Sequence, residues 1–179
     1  MRLGTMCTPL RSLRRSRANR MRFPPDVVRA VRAVVPRGVP LGARITGSDW
    51  ADGGLTPDDA VTLGKALKDV GLDYIDVSSG GATAEIRTPT SPGYNAPIAE
   101  RLRRETGIVV RTVGMITTAK QAEAIVTEGK ADMVALARAF LDNPHWGWHA
   151  AQALSADVAR PVQYLRSAPK LWPGAALRG

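Results

Sequence analysis

Four short apolar runs recur along this chain, each closed by small or polar residues and each followed by a helix signal. They are Val39–Ile45, Tyr74–Ser78, Ile108–Val113 and Asp132–Ala137. Runs of this length, rich in β-branched residues and bounded by Gly or Pro, predict buried strands. Helical patterns lie between them. Pro24-Pro25-Asp26 opens one, with Val27, Val28, Val31 and Val34 or Val35 as its apolar stripe and Arg29 and Arg32 facing out. Thr56-Pro57-Asp58-Asp59 opens the next, because Thr caps, Pro suits the first turn and the acids meet the helix dipole. Further helices are expected near Ile98–Glu105, Thr118–Glu128, Arg138–Leu141 and Pro144–Leu154.

Strands alternating with helices argue for an α/β fold with a parallel sheet and helical crossovers. Two architectures fit, an open doubly wound sheet and a (β/α)8 TIM barrel. No Gly-x-Gly-x-x-Gly turn follows any of the strands, which counts against the first. For a barrel, the chain of 179 residues is short, and it carries about four repeated units where a closed barrel needs eight. A partial barrel is therefore expected. Half a barrel would leave two strand edges unpaired and an apolar inner layer exposed.

The net charge of +9 resembles a nucleic-acid signal until it is located. Residues 1–22 hold seven Arg and no acid, and the rest of the chain has 18 basic and 16 acidic side chains. The balanced remainder argues against a nucleic-acid face. Residues 1–22 read as a separate, unstructured basic head, and 23–179 as the globular part. Cys7 is the lone cysteine, which excludes an internal disulfide framework. No apolar stretch is long enough to span a bilayer, and a cytoplasmic location is the expectation.

The motifs that end the strands are where a barrel keeps its chemistry. Arg44 lies within an apolar run, so it reads either as a buried ion pair with Asp49 or Asp76, or as a cation aimed at the barrel mouth. Ser78-Ser79-Gly80-Gly81 reads as an ordinary β-α turn or as a phosphate cradle. Gly114 has the same two readings. Arg138 follows Ala137 at a strand-to-helix junction, where a guanidinium and helix N–H groups could hold one phosphate. His145 and His149 sit four apart, but no third ligand lies near them, so packing is the better reading and no metal is expected.

Taken in order, Arg44-Ile45-Thr46-Gly47-Ser48-Asp49-Trp50, Gly53-Gly54-Leu55-Thr56, Asp73–Gly80, Val113-Gly114-Met115-Ile116, Ala131–Val134 with Arg138, and Pro161–Arg166 closely resemble the C-terminal half of the Old Yellow Enzyme family. These are the NAD(P)H:flavin oxidoreductases and ene-reductases, and the xenobiotic-reductase-like bacterial branch is the most similar. The resemblance runs from about residue 16 to residue 166. It implies the last four β-α units of a TIM barrel that binds FMN and takes hydride from NAD(P)H to an activated alkene. Arg44 would face the isoalloxazine ring and stabilise negative charge on it. Ser78, Gly114, Ala137 and Arg138 would surround the FMN phosphate, and Arg166 would reach the active site of a neighbouring subunit. Ala137 stands where the family often has Gly. The family's substrate-binding pair and proton donor belong to strands with no counterpart here. The chain is accordingly expected to be truncated and inactive alone, a remnant or a half-barrel that needs a second copy or a separate N-terminal half.

Overall fold

The computed structural model describes residues 16–80 and 88–177. Most of the basic head, with Cys7, and Gly81 of the second motif lie outside the described residues. The elements are α1 (Arg17–Arg20), α2 (Phe23–Val34), β1 (Gly42–Thr46), α3 (Pro57–Asp69), β2 (Tyr74–Ser78), α4 (Ala96–Thr106), β3 (Val109–Val113), α5 (Ala119–Thr127), β4 (Met133–Ala135), α6 (Arg138–Asp142) and α7 (Trp146–Ala153). Two 3-10 turns follow, Val162–Ser167 and Pro173–Leu177.

The four strands are all parallel and lie in the order β1-β2-β3-β4. A doubly wound sheet reverses its strand order part-way, whereas a barrel adds each strand beside the last. Sequential order with a helix after each strand is an arc of a (β/α)8 barrel.

Helix starts follow the sequence signals. Thr56 and Asp59 form a reciprocal capping box at the head of α3. Thr118 caps α5 through the Gln121 N–H. Gly107, in the left-handed conformation, ends α4. The core lies between the sheet and its helices. Ile75, Val77, Val110, Leu67, Ala99 and Leu102 are almost fully buried there. Alternation along the strands then assigns Arg44, Asp76, Arg111 and Met133, which are register partners across the sheet, to the opposite, inner face.

Two recurring clamps fix the start of the strands. Asp73, just before β2, accepts from the Leu41 N–H at 2.6 Å and from Arg32 of α2 at 2.9 Å. Asp132, just before β4, accepts from the Val110 N–H at 2.8 Å and from Arg103 of α4 at 2.8 Å.

Three expectations need correction. Arg32 does not face out; its side chain is 8% exposed because Asp73 and the Val39 carbonyl hold it. That rotation turns the other side of α2 outward, so Val27, Val31 and Val34 are exposed and Val28 alone of the stripe is buried. The inner layer is not apolar, since its middle row is Arg44, Asp76 and Arg111.

Gly42 is required by that inner face. A Cβ there would lie 2.1 Å from Cζ of Tyr74, over whose ring the Arg111 guanidinium stacks at 5.4 Å. Gly42→Ala should lower stability by about 1–2 kcal/mol in urea unfolding, because Tyr74 must leave its place. The same change in a Tyr74→Leu background should cost clearly less, and an equal cost in both backgrounds would show that the ring is not the obstacle.

Candidate functional site

The C-terminal ends of the four strands, Thr46, Ser78, Val113 and Ala135, form one rim of the arc. A cavity of about 720 Å³ opens on this rim. Its walls include Arg44, Ser78, Gly114, Ala137 and Arg138, so five residues from four separate β-α junctions meet at one place. Arg166 is not among them. It lies on the exposed 3-10 turn Val162–Ser167, beyond α7.

Arg44 pairs with Asp76, one of the two acids its position suggested, but it is not buried. Its side chain is 60% exposed at the cavity, and one Nη lies 3.6 Å from the buried carboxylate of Asp76. It is not a buried cation, because the inner face beside it is open. Asp76 has a second and closer partner, Arg111, at 3.2 Å. That hydrogen bond raises the Arg111 guanidinium above its ordinary pKa, so it stays charged. Arg138 is exposed at the mouth and is in no ion pair among the described residues, which leaves its donors free for a ligand. Asp142, one turn later on α6, also lines the wall.

The walls are held by a chain of hydrogen bonds that sequence reasoning missed. Trp50 Nε1 donates to Ser79 Oγ at 2.8 Å, Ser79 donates to Asn95 Oδ1 at 2.6 Å, and Asn95 Nδ2 donates to the Val113 carbonyl at 2.7 Å. Asn95 is fully buried. The chain ties the loops after β1 and β2 to the end of β3. Gln121 does the same for the next loop, accepting from the Thr117 N–H and donating to the Met115 carbonyl. Trp146 Nε1 also donates to the Thr117 carbonyl. Gly114 has φ +128°, and a Cβ would meet the Tyr94 ring at 2.7 Å, so both backbone and space demand glycine. Next to it, Met115 holds φ +49°, and Trp50 holds φ +56° on the neighbouring loop. Strained non-glycine residues cluster at functional sites. The detectable signal for Asn95 was a polar residue directly before the apolar face of α4. The positive φ of Met115 and Trp50 left no trace in composition.

His149 lines the same cavity and its Nδ1 meets Asn143 Nδ2 at 2.7 Å, while His145 stacks on Trp148. Among the described residues no group of three His, Cys, Asp or Glu side chains comes together to hold a metal.

The donor set has a definite chemistry. Two guanidiniums and the hydroxyls of Ser78 and Thr117 suit an anionic ligand end, and Val113, Ile116, Leu136 and Trp146 offer it an apolar wall. The size is right for a nucleotide-sized molecule.

The sequence profile of the NADH:flavin oxidoreductase / NADH oxidase family matches residues 15–157. This chain belongs to that family. Its family members are flavin-dependent oxidoreductases, and the donor set fits a group with one phosphate and one flat apolar ring. The NADPH dehydrogenases of Geobacillus sp. (strain WCH70) and Geobacillus thermodenitrificans (strain NG80-2) are 46% and 45% identical over 149 and 148 residues. That of Listeria innocua is 36% identical over 149 residues. Each alignment covers 83% of this chain and 43% of the relative. The chain thus spans less than half the length of the curated relatives it matches. Among solved structures, a 2-naphthoyl-CoA reductase in complex with 2-naphthoyl-CoA superposes with TM-score 0.68 and 21% identity, over 75% of this chain and 21% of that one. At that identity the likeness supports the barrel arc alone. No described helix is long and apolar enough to cross a membrane.

Asn95→Ala strips a partner from Ser79 and from the Val113 carbonyl at once. It should cost about 2–3 kcal/mol in chemical unfolding. Ser79→Ala, which leaves Asn95 its bond to Val113, should cost about 1 kcal/mol. Equal costs would mean that the chain of bonds does not run through Asn95.

Proposed function

We propose that this chain supplies the phosphate-holding side of an FMN site in a flavin-dependent NAD(P)H oxidoreductase of the ene-reductase type. The observation that carries the reading is the meeting of Arg44, Ser78, Gly114, Ala137 and Arg138 at one cavity of ligand size in a chain of this family. Bound there, FMN would supply reversible hydride acceptance, from NAD(P)H and on to an activated alkene. Arg138 would take the phosphate, with its donors in no ion pair among the described residues. The Ser78 hydroxyl and the backbone at Gly114 and Ala137 would complete the phosphate shell. Arg44, held by Asp76 on one side, would present its remaining N–H groups to the electron-rich edge of the ring. Arg166 would serve the site of a neighbouring subunit, since it is exposed and does not line this chain's cavity. A cytoplasmic site of action suits the NAD(P)H requirement.

A second reading is a phosphate-binding, non-catalytic half-barrel that acts with another half, either a separate chain or a second copy. It is favoured by the open inner face, where Arg44, Val109 and Met133 are exposed. On this reading the chain alone binds flavin without alkene reduction.

The test is an FMN titration of the full chain followed by flavin fluorescence. Saturable binding is expected, and Arg138→Ala should weaken it about 10- to 100-fold through loss of a charge-assisted phosphate bond. Riboflavin, which lacks the phosphate, should bind weakly and be indifferent to Arg138→Ala. No FMN binding by a folded chain, or equal binding of riboflavin, would overturn the phosphate assignment. Alkene-dependent NADPH oxidation by the chain alone would rule out the second reading.

A further inference from the structure

We infer that Asn143 is a positioning residue that holds His149 as the neutral imidazole with its one proton on Nε2, so that α7 brings the cavity a hydrogen-bond donor and no charge. The inference deepens the flavin reading, on which it rests for the ligand this donor meets. The state of the ring is a property of the chain alone.

One backbone donor fixes the bonds that follow. The His145 backbone N–H donates to Asn143 Oδ1 at 3.1 Å. A backbone N–H only donates, so the oxygen of the Asn143 amide lies on that side and its NH2 on the other. His149 Nδ1 is 2.7 Å from that NH2. The NH2 offers donors only, so Nδ1 accepts. A neutral imidazole that accepts at Nδ1 carries its proton on Nε2. Protonating Nδ1 would set N–H against N–H. Turning the amide over to relieve that would set its NH2 against the His145 N–H. Either way a hydrogen bond at the head of α7 is lost.

The position of the ring gives this state a consequence. His149 lines the 720 Å³ cavity together with Arg44, Tyr94, Arg138 and Asp142. It also lines a smaller one of about 170 Å³, together with His145, Arg160 and Tyr164. α5, which packs on α7, brings only Ala119 to these walls. The charged groups around the two cavities are therefore three guanidiniums and one carboxylate. A protonated His149 would add a fourth cation to them. The neutral ring adds none, and its Nε2–H is a donor that suits an oxygen-rich ligand end without competing for its charge.

The test is nitrogen-15 NMR of the full chain with labelled imidazoles, recorded without flavin. The chain holds two histidines, and His145→Phe keeps the backbone N–H and a ring to stack on Trp148, so the remaining signals belong to His149. At mildly alkaline pH His149 should show an unprotonated Nδ1 and a protonated Nε2. Asn143→Asp keeps an oxygen for the His145 N–H and turns a second one to Nδ1. It should move the proton to Nδ1 and raise the proton affinity of His149 about 10-fold. Asn143→Ala should give a mixture of the two tautomers. A contact that served packing alone would lower stability in these variants and leave the proton on the same nitrogen. A protonated Nδ1 in the wild-type chain overturns the inference, and so does a tautomer that both variants leave unchanged. The wild-type spectrum decides the first point even where a variant fails to fold. With FMN bound, His149→Phe should weaken it about 3- to 10-fold, and His149→Gln, which keeps a neutral donor, should weaken it less. Equal binding by His149→Phe overturns the donor role. Failure of FMN to bind at all strikes the flavin reading, while the spectra still decide the state of the ring.

Discussion

Parallel pairing without a slip is the constraint on which the candidate site depends. Gly42 pairs with Tyr74, and Tyr74 with Val109, and the same step carries Arg44 to Asp76 and Arg111. Because alternate residues face opposite sides, this one register sorts each strand into a greasy side toward the helices and a charged side toward the barrel interior. It also brings the ends of β1 to β4 to a common rim, where the β-α loops can surround a ligand. Helix propensities and caps set the length of each crossover, but the register decides what the rim displays.

The rim is also cross-linked by groups that lie outside the strands. Asn95 sits at the head of α4 and reaches under two loops to the end of β3. Gln121 holds the loop after β3 by its backbone on both sides. Neither Asn95 nor Gln121 lines the cavity whose loops it holds.

Much of this was legible in the sequence, where the chemistry is local. Thr56-Pro57-Asp58-Asp59 announces a helix start by its own hydrogen-bonding capacity, and the strand at Tyr74–Ser78 has the bounds the apolar run suggested. The cavity residues Ser78, Gly114 and Arg138 were visible because each ends or follows a run, and Arg44 because a charge interrupts one. Other features depend on partners far along the chain. Arg32 is buried by an acid forty-one residues away, and a helical stripe of valines gives no sign that an arginine has taken the inward side. The inner row fails for the same reason, since Arg111 looks like an interruption of an apolar strand until its register with Asp76 is known. Strand ends also shifted: β1 begins at Gly42 where the apolar run begins at Val39, because Pro40 has no N–H to give a ladder.

The clamps at Asp73 and Asp132 act at the opposite end of the sheet from the ligand rim. Each binds a backbone N–H at the start of the previous strand and an arginine from the helix before it, so each recognises three chain segments at once. A strand displaced by one residue would leave both the amide and the guanidinium without their carboxylate. The pair therefore ties the native register to two carboxylates at the base of the sheet, at a distance from the rim whose shape depends on that register.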